Sequence, residues 1–197
     1  MADSLAPDDV LPLLSGTFGH VYRYEQLCSS TQRLLQPDDP EGAVAVAEEQ
    51  SEGRGRLGRS WQAPARTSVL LSILLRPQVE PPRLPELTLV AGGAVAQAIA
   101  EATGLEPAIK FPNDVLLGGR KVAGILAESS GGRVVLGIGV NANQTAEQLP
   151  PDVQTVPTSL RLELGKPVER PELLAAILRQ VEQAYRAWVS TGTSASG

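Results

Sequence analysis

Residues 115–141 read VLLGGRKVAGILAESSGGRVVLGIGVN, and this stretch carries the clearest fold signal in the chain. Apolar runs alternate in it with two glycine pairs, Gly118–Gly119 and Gly131–Gly132. Because paired glycines adopt the positive φ angles of tight hairpin turns, the pattern predicts strands that fold back on one another. We therefore expect a hairpin over residues 115–128 and a further strand over residues 133–140.

Outside this stretch, short apolar runs alternate with two long segments of helical spacing. The other predicted strands are Val21–Leu27, Ala43–Ala47, Ser68–Leu75 and Ala108–Phe111. The predicted helices are Gln32–Gln36, Leu84–Ala102 ended by Gly104, Ser159–Leu164 capped by Thr158, and Pro171–Val189. Because strands outnumber helices and hairpins dominate, the sequence predicts an α+β fold with a mixed, largely antiparallel central sheet and flanking helices.

Length and composition fit one globular domain. The chain has 197 residues, of which 42% are hydrophobic and 20% charged. A chain of this length can bury a real core without disulfides or metals to hold it. We predict a flexible N-terminal arm over residues 1–16, a folded domain over residues 17–189 and a frayed tail over residues 190–197.

Charge and residue counts exclude several classes of protein. The net charge of −5 argues against a dedicated nucleic-acid binder. Cys28 is the only cysteine, so no internal disulfide can form, and His20 is the only histidine, so a histidine-rich metal site is impossible. The sequence shows neither a secretion signal at its start nor the roughly 18 apolar residues of a membrane span. A cytoplasmic protein is therefore expected.

Residues 52–61, EGRGRLGRSW, interleave three arginines with three glycines. Arginine presents a fork of donors that fits phosphate and carboxylate oxygens, and glycine lets the backbone approach an anion closely. The segment therefore suits a flexible loop, spanning Gln50–Pro64, that closes over a phosphorylated ligand while Trp61 stacks on a purine. A solvated basic loop and an RNA contact stay open as alternatives at this point. No Gly-Lys-Ser/Thr follows, so this is not a Walker loop.

The stretch KFPND at residues 110–114 places polar groups at a bend. The proline restricts the residue before it to an extended conformation. Asp114 can hold Mg²⁺ through oxygen and Asn113 can read a base or a ribose, although an ordinary turn explains the pattern equally well.

Two strand-like motifs carry further unusual residues. Lys121 opens an apolar strand and can reach an anion in a cleft, or it is an edge lysine that prevents sheet aggregation. Gly124 within the same strand indicates the close approach of a ligand or of another backbone. In GIGVNAN, residues 137–143, Asn141 stands at a strand end, where it either bonds a ligand or simply favours a turn.

Taken together, these motifs resemble those of the biotin–protein ligases in both order and spacing. That family shows Ser-Thr-Asn, Gly-Arg-Gly-Arg-x-Gly-Arg-x-Trp, Lys-Trp-Pro-Asn-Asp, Lys-x-x-Gly-Ile-Leu-x-Glu and Gly-x-Gly-x-Asn in this order. The matching stretches here are Ser30–Thr31–Gln32, GRGRLGRSW at 53–61, KFPND at 110–114, KVAGILAE at 121–128, GIGVNAN at 137–143 and Thr-Ser-Leu at 158–160. The resemblance covers about residues 20–189.

The resemblance implies a biotin–lipoate ligase catalytic domain, similar to that of class II aminoacyl-tRNA synthetases, over residues 17–189. It implies an ATP- and Mg²⁺-dependent ligase that forms biotinyl-5′-AMP and transfers biotin to a lysine of a biotin carboxyl carrier protein. No DNA or membrane partner is expected. Independently of the resemblance, strand 133–140 could pair edge to edge across a two-fold axis, which would form a homodimer.

Site residues follow from the same resemblance. The expected biotin-binding residues are Ser30, Thr31, Gln32, Gln50, Arg54, Gly55, Arg56, Lys121 and Gly124. The expected ATP-binding residues are Arg56, Trp61, Lys110, Asn113, Asp114 and Asn141, with Asp114 also a ligand of Mg²⁺. The expected catalytic residues are Lys121, Arg54 and Lys110, because both reactants are anions and positive groups must offset their repulsion.

The chain departs from the family pattern in several places. Gln32 replaces the usual asparagine and Phe111 the usual tryptophan. Only about 20 residues precede the first strand, so no DNA-binding segment and no repressor function are expected, and the C-terminal β-barrel of most members is expected to be absent or truncated. A lipoate or octanoate ligase is the main alternative, although its Arg-Arg-x-Ser-Gly-Gly-Gly signature is missing. A non-catalytic protein that binds biotinyl-AMP is the other.

Overall fold

The computed structural model describes residues 3–150 and 155–193. The helices within these ranges are α1 (Pro7–Val10), α2 (Thr31–Leu34), α3 (Glu86–Thr103), α4 (Leu160–Leu164) and α5 (Arg170–Thr193). The strands are β1 (Tyr22–Cys28), β2 (Val44–Gln50), β3 (Ser68–Leu75), β4 (Ala108–Lys110), β5 (Asp114–Leu117), β6 (Arg120–Ser130) and β7 (Arg133–Asn141). Short 3-10 turns at residues 11–13, 56–58, 81–83 and 146–148 complete the described elements.

The strands of the described chain form one sheet in the order β1-β2-β3-β7-β6-β5-β4. β1 and β2 run parallel, whereas every other neighbouring pair is antiparallel, which confirms the predicted mixed sheet. The proposed dimer contact through strand 133–140 is wrong, because β7 lies between β3 and β6 and both of its edges are already paired. Homodimerisation through another surface stays a prediction.

The sheet presents two different faces because side chains alternate along each strand. On β7, Leu136, Ile138 and Val140 are buried in the hydrophobic core, to which α3 and α5 also contribute. The residues between them, Gly137 and Gly139, point to the opposite face. The sequence thus builds a core on one side of the sheet and an open, glycine-lined floor on the other.

Helix ends follow local sequence signals. α3 ends at Gly104, whose φ of 74° is the left-handed conformation that glycine adopts without strain, as predicted. The cap of α4 is Ser159 rather than Thr158, because the Ser159 side chain accepts the Leu162 N–H. The Thr158 hydroxyl instead bonds Glu163.

The N-terminal segment is not the flexible arm that the sequence suggested. Leu5 and Val10 are fully buried in the core. The Leu5 N–H donates to Glu48 Oε1 at 2.9 Å, and Asp3 forms an ion pair with Arg170 at 2.8 Å. Two apolar anchors and one charged anchor therefore fix residues 3–10 to the domain. At the other end, α5 continues to Thr193, so the predicted tail is helical over residues 190–193, and residues 194–197 lie outside the described range.

Candidate active site

A cavity lies on the open face of the sheet, and its floor is built from strand positions without side chains. A Cβ added to Gly139 would lie 2.6 Å from the Trp61 ring, and one added to Gly124 would lie 2.8 Å from the same ring. The indole therefore rests directly on the backbone of β6 and β7. Any larger residue at these two positions would lift the ring from the sheet.

The arginine–glycine segment is an ordered hairpin over this cavity, not a loop without internal structure. The backbone N–H of Trp61 donates to the Gly53 carbonyl at 2.8 Å, and the backbone N–H of Gly55 donates to the Arg59 carbonyl at 2.7 Å. Arg54 and Glu128 form a two-pronged ion pair with both distances at 2.9 Å. Arg54 thus anchors the hairpin to β6.

One corner of the cavity is a set of hydroxyl and amide groups that fix one another. Gln50 Oε1 accepts from the Thr31 N–H at 2.8 Å and from its hydroxyl at 3.1 Å. Since the backbone N–H can only donate, the Gln50 oxygen must face Thr31, which leaves Nε2 as the end of the amide that can donate. The Thr31 hydroxyl also lies 2.8 Å from the hydroxyl of the fully buried Ser72.

Gln32 lies beside this corner with its amide buried and unsatisfied. A Cβ added to Gly137 would lie 3.3 Å from Gln32 Nε2, so the amide rests on the backbone of β7. Neither Nε2 nor Oε1 has a hydrogen-bond partner among the described residues. Each buried polar group left unpaired costs about 1–3 kcal/mol, so this amide fits a ligand that both donates and accepts.

Lys121 also lines the cavity, and its backbone is held in place. Its backbone N–H donates to the Val156 carbonyl and its carbonyl accepts from the Thr158 N–H, both at 2.8 Å. Its ammonium lies 2.9 Å from Asp114 Oδ1 and 5.7 Å from the centre of the Trp61 ring. A cation is thereby placed above the aromatic ring inside the cavity.

Asn141 closes the cavity from the end of β7. Its Nδ2 donates to the Thr158 carbonyl at 3.0 Å, and its Oδ1 accepts from Gln144 Nε2 at the same distance. Gln144 Nε2 also donates to the Ser68 hydroxyl at 2.6 Å. These bonds fix the orientation of the Asn141 amide before any ligand arrives.

Most of the residues predicted for the site meet at this cavity. Those that line it are Ser30, Thr31, Gln32, Gln50, Arg54, Gly55, Arg56, Trp61, Asn113, Lys121, Gly124 and Asn141. Lys110 does not line it: this side chain is exposed on the edge strand β4 and bonds the Thr155 hydroxyl. Asp114 stands behind Lys121 instead of lining the cavity. Assignment of individual residues to biotin or to ATP stays a prediction.

Sequence reasoning missed the roles of Ser72 and Gly139 in the cavity. Ser72 is the only polar residue within the otherwise aliphatic stretch VLLSILL of β3, and its hydroxyl orients Thr31. A lone hydroxyl in a buried strand was the available signal. The position of Gly139 under Trp61 depends on a contact between segments 78 residues apart in sequence, which local patterns do not reveal.

The described residues do not form a metal site of their own. No group of three or more histidine, cysteine, aspartate or glutamate side chains comes together in residues 3–150 and 155–193. The predicted magnesium ligand, Asp114, is ion-paired with Lys121. The described carboxylates therefore do not fit a metal ion held by the protein alone.

Cys28 lies just before the Ser30 corner but is poorly suited to attack a substrate. Burial, followed by the charge of Glu25, raises the pKa of the Cys28 thiol to about 11. The thiol is therefore protonated at neutral pH and is a weak nucleophile.

None of the helices in the described part of the chain combines the length and apolar character that crossing a membrane requires.

Substituting Gly139 by alanine tests whether the Trp61 seat shapes the site. The added Cβ would lie 2.6 Å from the ring, so we expect ligand affinity to fall roughly 10-fold or more as the ring is displaced. Gly93→Ala is the matched control, because its Cβ would meet only Ile109 at 3.8 Å. Isothermal titration of both variants with biotin, the expected ligand, measures the affinities, and equal affinities would show that the position of the Trp61 ring does not shape the site.

The chain belongs to the biotin/lipoate A/B protein ligase family, whose model matches residues 24–144. It is 37% identical over 178 residues to the bifunctional ligase/repressor BirA of Bacillus subtilis. The matched region covers 86% of this chain and 55% of that protein. It is 41% identical over 155 residues to the biotin–[acetyl-CoA-carboxylase] ligase of Mycobacterium tuberculosis, covering 76% of this chain and 56% of that one. The chain thus spans about half the length of the curated relatives it matches.

A solved structure agrees with this placement. The fold matches the biotin protein ligase of Aquifex aeolicus, in complex with biotin and ATP, with a TM-score of 0.79 and 32% sequence identity. The match covers 88% of this chain and 73% of that one.

Proposed function

We propose that this chain activates biotin with ATP to form biotinyl-5′-AMP and transfers the biotinyl group to a lysine of a biotin carboxyl carrier protein. The observation that carries the proposal is the buried, unpaired amide of Gln32 beside the corner formed by Thr31 and Gln50. The relative named as a biotin–[acetyl-CoA-carboxylase] ligase supports the same activity.

The Gln32 amide discriminates between the ligands that this family takes. The ring urea of biotin carries an N–H beside a C=O, so it can donate to Gln32 Oε1 and accept from Nε2. The dithiolane ring of lipoate and the alkyl chain of octanoate offer no N–H donor. Those ligands would leave the buried amide unpaired, which costs about 1–3 kcal/mol per group. Biotin is therefore the acid that the cavity favours.

The cations of the cavity suit the other end of biotin. The carboxylate of biotin and the phosphates of ATP repel each other, and preorganised positive groups lower the cost of bringing them together. Lys121 and Arg56 both line the cavity. Arg56 Nη1 lies 3.3 Å from Asn113 Oδ1, so the tip of the hairpin reaches the turn that follows β4.

The chemistry proceeds in two steps. A carboxylate oxygen of biotin attacks the α-phosphorus of ATP, the bond to the bridging oxygen breaks, and pyrophosphate leaves. The lysine amine of the carrier then attacks the acyl carbon, an amide forms, and AMP leaves with the electrons of the anhydride bond. The amine loses its proton in this step. Lys121 offsets the charge that develops in the first step, and no covalent enzyme intermediate is required.

The hairpin over residues 53–61 protects the intermediate. A mixed anhydride is hydrolysed by water, so the site must be covered between the two steps. The Trp61 ring packs against Gly124 and Gly139 of the sheet, and the ion pair of Arg54 with Glu128 holds the hairpin to β6. The cover is thus held by backbone hydrogen bonds and by one ion pair that can open.

A direct test is a competition between the two acids. The protein is incubated with Mg-ATP, a carrier domain and equal biotin and lipoate, and the carrier is weighed by intact mass spectrometry. We expect a mass gain of one biotinyl group on one lysine. A lipoyl gain would assign the chain to the sister activity, and no gain with either acid would contradict the transfer step.

Substituting Gln32 by methionine tests the amide itself, because methionine keeps the length of the side chain and removes both polar groups. We expect biotin to bind about 10- to 100-fold more weakly, while lipoate, which leaves the Gln32 amide unpaired, binds no more weakly than before. Gln36→Met is the control, because Gln36 is exposed and does not line the cavity. Titration calorimetry measures both, and equal loss for the two acids would show that Gln32 does not select the urea.

A further inference from the structure

We propose that Asp114 is a positioning residue that holds the Lys121 ammonium over the Trp61 ring, and that it does not act as a metal ligand. The inference rests on the proposed function, since it concerns the cation that faces the reacting carboxylate. It replaces the expectation that Asp114 binds Mg²⁺.

A local irregularity of the sheet brings the two residues together. Asp114 pairs with Gly124 across β5 and β6, and a register shift between Val115 and Leu116 then places Leu116 opposite Lys121. Asp114 and Lys121 are therefore offset along the ladder, and the lysine side chain must run back along β6 to meet the carboxylate. Without the register shift, continued one-to-one pairing would place Leu117, not Leu116, opposite Lys121.

Gly124 opens the path for the lysine side chain. A Cβ added there would lie 3.4 Å from Lys121 Cε and 2.8 Å from the Trp61 ring. The alkyl chain thus passes over a bare backbone position, and its ammonium ends between the carboxylate and the aromatic face. Two groups with electrostatic attraction for the ammonium, Asp114 and Trp61, define where it stops.

The contact has the character of an ion pair shielded from water. The two side chains are only 14% and 15% exposed, and the charged atoms lie 2.9 Å apart. Asp114 Oδ1 accepts no hydrogen bond from the described residues, so its attraction to the ammonium is chiefly electrostatic. Because salt screens shielded ion pairs much less than surface pairs, the attraction between Lys121 and Asp114 should persist at physiological ionic strength.

The arrangement leaves the ammonium free to act. A lysine ammonium carries three N–H donors, and a single contact with Asp114 leaves donors for the carboxylate of the substrate. Asp114 also keeps the cation in place between turnovers, when no substrate anion is present. Loss of Asp114 is expected to release the side chain, because a four-carbon stem has many rotamers.

The experiment compares Asp114→Asn, which keeps the shape and removes the charge, with Asp114→Glu, which restores the charge one methylene further out. The readout is biotin-dependent exchange of labelled pyrophosphate into ATP. We expect Asp114→Asn to lower kcat about 10- to 100-fold with KM for biotin within about threefold, and Asp114→Glu to recover part of kcat. The control is Glu101→Gln, which removes a carboxylate from a surface ion pair with Arg179.

Magnesium dependence separates positioning from metal binding. If Asp114 positions Lys121, the Mg²⁺ concentration that gives half-maximal exchange is the same in Asp114→Asn as in the original protein. A several-fold rise in that concentration, or an unchanged kcat, would overturn the proposal.

A structural readout keeps the inference separate from the proposed function. If the original protein shows no exchange with biotin, the proposed function fails. Crystal structures of the original protein and of Asp114→Asn, both without ligand, then decide the role of Asp114. Displacement of the Lys121 ammonium from Trp61 in the variant supports positioning, and an unmoved ammonium in the variant overturns it.

Discussion

Replacing Lys121 with alanine is expected to lower the rate of biotinyl-AMP formation about 100- to 1,000-fold, the range seen when one preorganised charge-stabilising group is removed from an active site. Lys121 is placed for this role by its backbone bonds to Val156 and Thr158 and by its ammonium above Trp61. In the proposed reaction, the charge of Lys121 offsets the repulsion between the biotin carboxylate and the phosphates of ATP. The exchange of labelled pyrophosphate into ATP measures the loss.

Two comparisons make this test specific. Lys166→Ala removes an exposed lysine far from the lining of the cavity and should leave the rate unchanged. Because Lys121→Ala leaves the Asp114 carboxylate shielded without its counter-ion, thermal unfolding of the variant should be followed in parallel. A folded variant with a rate within threefold of the original would remove Lys121 from the mechanism.

Arg170→Met is expected to lower the free energy of unfolding by about 3–5 kcal/mol, because it breaks a buried ion pair and leaves Glu48 charged in the core. The Arg170 side chain is fully buried, and that of Glu48 is 2% exposed. The guanidinium donates to Glu48 at 2.7 Å, to the Ser68 carbonyl at 3.0 Å, and to the carboxylate and carbonyl of Asp3. One residue of α5 therefore ties β2, β3 and the N-terminal segment together.

A surface pair provides the matched comparison. Arg179 also lies on α5, but its ion pair with Glu101 is exposed, so Arg179→Met should change the free energy of unfolding by less than about 1 kcal/mol. For a chain of this size, the Arg170 variant should melt roughly 10 °C lower. Equal melting temperatures for the two variants would show that the buried network does not hold the fold.

Local sequence signals predicted the helices and strands because residues within or next to each element, such as turn glycines, determine where it ends. The glycine pairs at 118–119 and 131–132 mark the turns on either side of β6, and Gly104 ends α3. The place of each strand in the sheet depends on contacts between distant segments. The strand 133–140 therefore looked like an edge, although it lies at the centre between β3 and β6.

The same distinction applies to the N-terminal segment. Prolines and aspartates over residues 1–16 are typical of a loose arm. The carboxylate of Asp3 nevertheless meets Arg170, which lies 167 positions later, and Leu5 enters the core. No local pattern reveals a partner that far along the chain.

Motif spacing predicted most of the site because the glycines and cations that form it are grouped along the chain. The hairpin 53–61 and the strands bearing Lys121 and Asn141 do converge on one cavity. The relation between Asp114 and Lys121 could not be read from spacing, since it depends on a register shift between β5 and β6. Lys110 was grouped with the cavity by its motif, yet it lies on the exposed edge strand.

If the proposed function is right, this chain activates biotin without any carrier protein. The most direct test incubates the purified protein with ATP, Mg²⁺ and labelled pyrophosphate, without any carrier, and compares biotin with lipoate as the added acid. We expect label in ATP with biotin and only background with lipoate. Label with lipoate alone, or none with either acid, would contradict it.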